Sequence, residues 1–436
     1  MKNSTGMIIS GEYILPGPHD DVIKDGAVAV TGDRIADVGP CAAIREKYPG
    51  LPELVRPSGL VMPGLINMHT HVPMVLFRGM ADDLPLKTWL EDYIFPVEAR
   101  LTPDMVALGT ELACAEMIRS GTTSFADMYL FEESIARVVD RAGMRAWLGE
   151  GIFDFPSPSF SSGYEAIEET AMMAERWRDN TRITVTVDPH TPYTCSSKLM
   201  RKALELAMEK GLLMVTHVSE TRWEVDEIKG MHGLSPVEYL DSLGILGGHL
   251  LAVHCVWLNE RDIELLAERG VSVVHCPESN LKLGSGIAPV SSLLDAGVRV
   301  ALGTDGAASN NDLDMFCEMD TAAKLPKGVL QDPSLVSASR VLAMATTRAA
   351  EALGRSDLGR LAPGNQADIV VLALDRPSLR PCYNCVSQVV YAARGADVSD
   401  VMVAGRLLME KGELKTIDEK RVLDSVKRLP ASLRPA

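Results

Sequence analysis

The feature that most constrains this chain is an alternation. Eight apolar, β-type runs fill the middle of the sequence, with helical patterns between them. The runs are Leu60 to His71, Thr122 to Tyr129, Arg145 to Phe153, Ile183 to His190, Leu212 to Glu220, Leu250 to Trp257, Val271 to Cys276 and Val298 to Asp305. Helices are predicted over Met105 to Arg119, Glu132 to Ala142, Ala166 to Arg178, Lys198 to Lys210, Pro236 to Leu243, Glu260 to Arg269 and Ser291 to Ala296. Eight strand–helix units predict an α/β fold, a (β/α)8 TIM barrel, which needs about 250 residues in its plain form.

The two ends of the chain differ from the middle. Met7 to Gly11, Gly26 to Val30 and Gly32 to Gly39 are short β-type runs set off by turn residues. Ala367 to Leu372, Val386 to Tyr391 and Val398 to Leu408 are strand candidates of the same kind. Both termini are expected to build one small antiparallel β domain, a β-sandwich, from residues 1–60 plus 361–436, leaving 61–360 to the barrel.

Hydrophobic residues make up 46% of the chain and charged residues 23%, enough apolar material for a large core. The net charge of −16 argues against nucleic acid as a partner but leaves uncharged nucleosides open. No apolar run approaches the roughly 18 residues of a membrane helix, and Met7 to Ile9 is too short for a leader's apolar core. The expectation is a cytoplasmic protein. Eight scattered cysteines suit a reducing compartment. The Cys382 and Cys385 pair lacks a second pair, so its spacing is read as coincidence.

Chemistry in such barrels sits at the C-terminal ends of the strands. Of nine histidines, six fall at or near the end of an apolar run: His69, His71, His190, His217, His254 and His275. Residues two apart on a strand share a face, so His69 and His71 both aim into the barrel mouth. Neutral imidazole is the commonest ligand for zinc-type metals, and His217 and Asp305 can close the set from other strands. Such a site lowers the pKa of a bound water towards 7. Asp305 then serves as ligand, proton acceptor or both. His254 orients or deprotonates water, or supports a ligand from behind. Glu220, three residues past His217, can deliver a proton to substrate, or else is a helix cap or surface charge.

These residues also carry a resemblance. Pro63-Gly64-Leu65-Ile66-Asn67-Met68-His69-Thr70-His71 and Leu302-Gly303-Thr304-Asp305-Gly306 resemble the first- and eighth-strand signatures of the amidohydrolase superfamily. Thr216-His217-Val218-Ser219-Glu220 is similar to the form used by its deaminases of nitrogen heterocycles. His275 to Gly286 and Pro363 to Val370 are also typical of the superfamily. Arg78 to Leu84, Trp89-Leu90, Pro96-Val97-Glu98, Asp188 to Tyr193 and Asp305 to Asn311 look like the 5′-methylthioadenosine / S-adenosylhomocysteine deaminases.

That resemblance implies hydrolytic deamination of an adenine ring, with Glu98, His190, Trp89 and Ser309 touching substrate. A carboxylate accepting two ribose hydroxyls is a charge-assisted, bidentate contact. Trp89 walls the 5′-substituent or packs in the core. No lysine ends the third or fourth run, which implies one divalent metal ion, zinc by default, with iron, manganese or cobalt as alternatives. Arginines expected near the third strand to pair an amino-acid carboxylate are missing: Glu150 stands there, and Asp154 to Glu165 holds no Arg or Lys. The expected substrates therefore carry a neutral 5′ group: 5′-methylthioadenosine, 5′-deoxyadenosine or adenosine. An aminohydrolase or chlorohydrolase of guanine, pterin or triazine on the same fold is the alternative, and a barrel without activity a more distant one. A small-molecule nucleoside partner, a homo-oligomer and no membrane complete the expectations.

Overall fold

The computed structural model describes residues 6–429. Residues 1–5 and 430–436, the two ends of the expected terminal domain, lie outside the described residues.

Eight parallel strands form the barrel: β1 (Leu65–Thr70), β2 (Thr122–Tyr129), β3 (Arg145–Ile152), β4 (Ile183–Val185), β5 (Met214–Val218), β6 (Leu250–His254), β7 (Ser272–His275) and β8 (Arg299–Leu302). They run as two arcs, β1 to β4 and β5 to β8. At one seam, past the end of β4, Val187 bridges Met214 and the His217 amide donates to the His190 carbonyl at 3.0 Å. At the other, the Asp305 amide donates to the His69 carbonyl at 2.9 Å. The ring is TIM-barrel-like. All eight residues of β2 are buried, as they are in β3. Strands covered on both faces read as continuous rather than alternating apolar runs, which is why the sequence exposed them.

Glycine at two positions lets the layers approach. A Cβ on Gly303 would stand 2.7 Å from the His69 amide nitrogen, and one on Gly149 would stand 2.1 Å from the Asp188 carboxyl carbon. Neither contact is sterically possible, so β8 can lie against β1, and Asp188 over β3, only with glycine there.

The terminal strands form one eight-stranded sheet in the order Glu413–Leu414, Arg406–Glu410, Val398–Val403, Ile369–Ala373, Glu53–Pro63, Gly6–Ile14, Ile23–Thr31, Arg34–Pro40. It is mixed, not purely antiparallel, because Gly6–Ile14 pairs in parallel with Glu53–Pro63. Buried Arg145 at the start of β3 pairs with Asp368 at 3.0 Å and with Gln366 at 2.9 Å, tying barrel to sheet.

Several expectations need correction. The first run, Leu60 to His71, divides at Gly64: Leu60 to Pro63 complete a strand of the terminal sheet, and β1 begins at Leu65. The fourth run breaks after Val185, and Asp188–Pro189 pair separately with β3. Val386 to Tyr391 is helical rather than extended. Asn384 caps it by accepting the Ser387 amide, and Cys385, Val389 and Val390, spaced four and one apart, bury one helical face. Val398 to Leu408 folds back at Ala404 and Gly405, both with positive φ, as a two-residue hairpin turn. Helices Arg222–His232 and Met315–Leu330 went unforeseen. Thr221 caps the first through the Glu224 amide and Asp314 caps the second through the Phe316 amide. Among the described residues, no helix is long and apolar enough to cross a membrane.

Candidate active site

Four side chains from three strand ends and one loop meet at the mouth. His69 Nε2 lies 3.1 Å from His217 Nε2 and 3.5 Å from Asp305 Oδ1, and His71 Nε2 lies 3.2 Å from Asp305 Oδ1. Their orientations are fixed from behind. The Nδ1 of His71 faces the Met128 carbonyl, and the Nδ1 of His217 faces the His190 carbonyl at 2.8 Å. Each Nδ1–H therefore donates outward, leaving the Nε2 lone pairs turned inward. The Nε2 atoms of His69 and His217, 3.1 Å apart, are close enough to share one proton or one cation. Two triads sharing His69, one with His71 and His217 and one with His254 and Asp305, each bring their ligand atoms within 4.8 Å of one another, and imidazole nitrogens with a carboxylate fit a divalent zinc-type ion.

The electrostatics fit a cation as well. Burial drives the His69 pKa down to about 4 and His217 well below the ordinary value, so both stay neutral. Burial opposes charge on His71 too, but the Asp305 and Asp127 carboxylates outweigh it and raise its pKa to about 9. Burial likewise opposes charge on Asp305, yet His69 and His71 hold its carboxyl well below the usual range. A positive charge is favoured between His71 and Asp305. The Asp305 carboxylate is steadied by the Ser279 and Ser309 hydroxyls, which donate to Oδ2 at 2.6 and 2.8 Å.

The backbone is strained where these groups are presented. Ser219, His254 and Asp305, at the ends of β5, β6 and β8, have φ of 53°, 72° and 63°. Non-glycine residues there cost of order 1–3 kcal/mol each and cluster at functional sites. The turn aims successive side chains into the mouth rather than along the strand.

His254 directs Nδ1 at Asn280 Oδ1, 2.9 Å away, and Nε2 towards Glu220, 3.8 Å away. Glu220 is buried and is not a helix cap, since Thr221 fills that position. Burial raises its pKa, while Ser285 donates to its Oε1 at 3.1 Å. Its backbone is pinned by Glu224, whose carboxyl accepts the Ser219 and Glu220 amides at 2.9 and 2.7 Å.

A pocket of about 90 Å³ opens over these groups. Glu98, His190, Trp89 and Ser309 all border it, with Leu86, Phe95 and Phe153 among the apolar wall. His190 packs edgewise on His217 at 4.9 Å and against Phe153 at 4.8 Å. Glu98 has its pKa raised by burial, against the neighbouring Tyr129 hydroxyl and His71. Trp89 is buried with its indole N–H unpartnered, so it belongs both to the core and to the wall. The Ser309 hydroxyl is turned to Asp305. A larger cleft of about 1290 Å³, between Arg56, Arg119 and Lys411, lies at the junction of sheet and barrel and holds no histidine.

His275 does not join the cluster. It is buried at the end of β7 with Nδ1 unpartnered and its pKa lowered to about 3 by burial and His254. Sequence reasoning named neither Ser279, Asn280 nor Ser285 as site residues, although all three lie in the His275 to Gly286 motif. It also missed Asp127, whose only signal is its place near the end of the second run.

The sequence matches the amidohydrolase family over residues 60–408. It is 47% identical over 98% of both chains to a 5-methylthioadenosine/S-adenosylhomocysteine deaminase of Syntrophobacter fumaroxidans. It is 46% identical over 99% of both chains to a 5′-deoxyadenosine deaminase of Methanothermobacter thermautotrophicus. Its structure is similar to that of an adenosine deaminase from Xanthomonas campestris with bound zinc, with TM-score 0.96 and 42% identity over 98% of both chains.

Proposed function

This chain belongs to the amidohydrolase family, among the 5-methylthioadenosine/S-adenosylhomocysteine deaminases, and from that premise we propose that it hydrolytically deaminates the adenine ring of 5′-substituted adenosines. One observation carries the reading: three Nε2 atoms and a carboxylate converge at the floor of a pocket in which a buried carboxyl faces a free imidazole nitrogen.

His69, His71, His217 and Asp305 would hold one divalent metal, zinc by default and iron, manganese or cobalt otherwise. When bound, the metal brings the pKa of a water towards 7. His254, with Nδ1–H given to Asn280, keeps Nε2 free to accept a proton as water adds to C6. Asp305 is the second acceptor. Burial favours the protonated form of Glu220, the form that delivers a proton to N1, where basicity grows as C6 becomes tetrahedral. The proton taken from water is passed on to the C6 amino group, and collapse then expels ammonia and leaves an inosine-type product. Glu98 takes the ribose hydroxyls, His190 contacts the nucleoside, and Trp89 walls the 5′ group. Ser309 acts through Asp305.

The 5′ side of the pocket is apolar, and no lysine or arginine lines it. A carboxylate buried there without a cation is costly. The preferred substrates are 5′-methylthioadenosine, 5′-deoxyadenosine and adenosine, ahead of S-adenosylhomocysteine. The terminal sheet, closing on itself where the Ile35 amide donates to the Asn365 carbonyl, is read as a sandwich of 1–60 with 361–436 around a barrel of 61–360. We place the enzyme in the cytoplasm as a homo-oligomer.

Ammonia release across adenine nucleosides with varied 5′ groups tests this. Turnover of the three neutral substrates at least tenfold above S-adenosylhomocysteine, about 1.4 kcal/mol, is expected. Equal rates would remove the 5′ preference, and no ammonia from any of them would remove the function.

A further inference from the structure

Asp127 is the residue behind the metal centre that the mechanism above leaves unused. It stands near the end of β2, 2% exposed. One of its oxygens, Oδ1, accepts two hydrogen bonds: from the Thr70 hydroxyl at 2.6 Å and from the Val72 amide at 2.7 Å. Those are the two neighbours of His71. The next residue along, Met128, supplies the carbonyl that receives His71 Nδ1–H. The same short stretch of β2 thus holds the backbone on both sides of His71 and also the ring.

The contact is made where the strand ends. β1 loses register with β2 between Asn67 and Thr70, and at Thr70 the two strands meet again through Asp127. Beyond it the chain leaves the strand, so the ladder no longer fixes His71. A side-chain acceptor must do so. A neutral acceptor would make the same two bonds, but an ionised one makes them about twice as strong. The second oxygen, Oδ2, has no donor from the protein's amides or hydroxyls and faces Glu132, which is fully buried.

We propose that Asp127 is a positioning residue for the metal centre, whose Oδ1 staples Thr70 and Val72 and thereby sets where His71 Nε2 points. It rests on the reading of His69, His71, His217 and Asp305 as metal ligands. Groups that orient a ligand from behind typically change metal affinity by about 10–100-fold when removed.

The test is competition between the purified full chain and a chelator for zinc, with the melting temperature of the metal-free protein measured beside it. Asp127→Ala should bind zinc roughly 10–100-fold more weakly. Asp127→Asn, which keeps Oδ1, should stay within about threefold of wild type. Thr70→Val, which removes one of the two bonds together with the hydroxyl's contact to the Ala126 carbonyl, should fall between them. Wild-type affinity in both Asp127→Ala and Thr70→Val would overturn the proposal. So would an Asp127→Asn as weak as Asp127→Ala, or affinities that merely track the metal-free melting temperature. A wild-type protein that takes up no zinc would instead overturn the metal-site reading beneath it.

Discussion

Along β1, β5 and β6 the strand ends carry His69, His217 and His254, with His71 and Asp305 just past the ends of β1 and β8, whereas β2, β3 and the Asp188–Pro189 segment beyond β4 carry Asp127, Glu150 and Asp188, joined by Glu132 after β2. Both sets are buried, His71 only partly. The imidazoles present lone pairs to one another and hold an anion, Asp305, among them. The carboxyls are less well matched: five oxygens of Asp127, Glu132 and Asp188 find no hydrogen-bond donor, and His71 is the charged neighbour that favours the Asp127 carboxylate. Three ionised carboxylates in one dry volume would repel strongly, so they are kept neutral or share protons. Glu132 and Asp127 face one another, and one proton between them satisfies both. One side of the rim gathers the proposed metal ligands, and the other holds the carboxyl proposed to brace them.

The two sides also respond oppositely to pH. Burial, with nearby charges, lowers His190 and His275 to about 3, below the ordinary 6.5, so they are neutral in the folded protein. Their contribution is present above about 6.5 and is lost as pH falls towards 3. Burial raises Asp127 to about 6 and Glu150 to about 7, from ordinary values of 3.8 and 4.5. Their contribution is present below the ordinary values and is lost as pH rises through 6 to 7.

The contrast can be broken most sharply on the imidazole side. His217→Ala should reduce zinc content to roughly a tenth or less and abolish ammonia release. A variant retaining stoichiometric zinc by metal analysis would end the four-ligand account. Glu220→Gln should lower kcat by roughly 10²–10⁴ while keeping its zinc. Loss of metal along with activity would make Glu220 structural instead.

Across the mouth, Trp89→Ala should raise KM for 5′-methylthioadenosine about tenfold, with kcat changed less. Steady-state kinetics showing an unchanged KM would assign Trp89 to the core alone. The smallest effect is expected on the acid side. Glu132→Gln should leave kcat/KM within about threefold. Its melting temperature relative to wild type should rise from pH 5 to pH 8, by about 2 °C or more, because the carboxyl whose ionisation is opposed in the folded state is gone. A difference that falls with pH would show that Glu132 is stabilised as an anion.

Much of this was legible before any coordinates. The two-faced burial of β2 and β3 forces continuous apolar runs, and those runs gave eight strands with few boundary errors. His69, His71, His217 and Asp305 stood out because barrels place chemistry at strand ends, and they do meet. Val386 to Tyr391 misled because β-branched residues can also line one helical face when a cap such as Asn384 starts the turn.

What only the fold decided is which polar residues turn towards one another. Sequence position puts Asp127 and Asp188 near strand ends just as it does His217, and His275 just as it does His254. Periodicity cannot say that Asp127 reaches across to Thr70 and Val72, or that His275 stays out of the cluster. Those outcomes depend on positive φ at Ser219, His254 and Asp305, on glycine at 149 and 303, and on how β1 slips against β2. Local patterning fixes which face of a strand a residue occupies, whereas the angstrom-scale spacing that makes a ligand or a brace is set by packing between strands far apart in the chain.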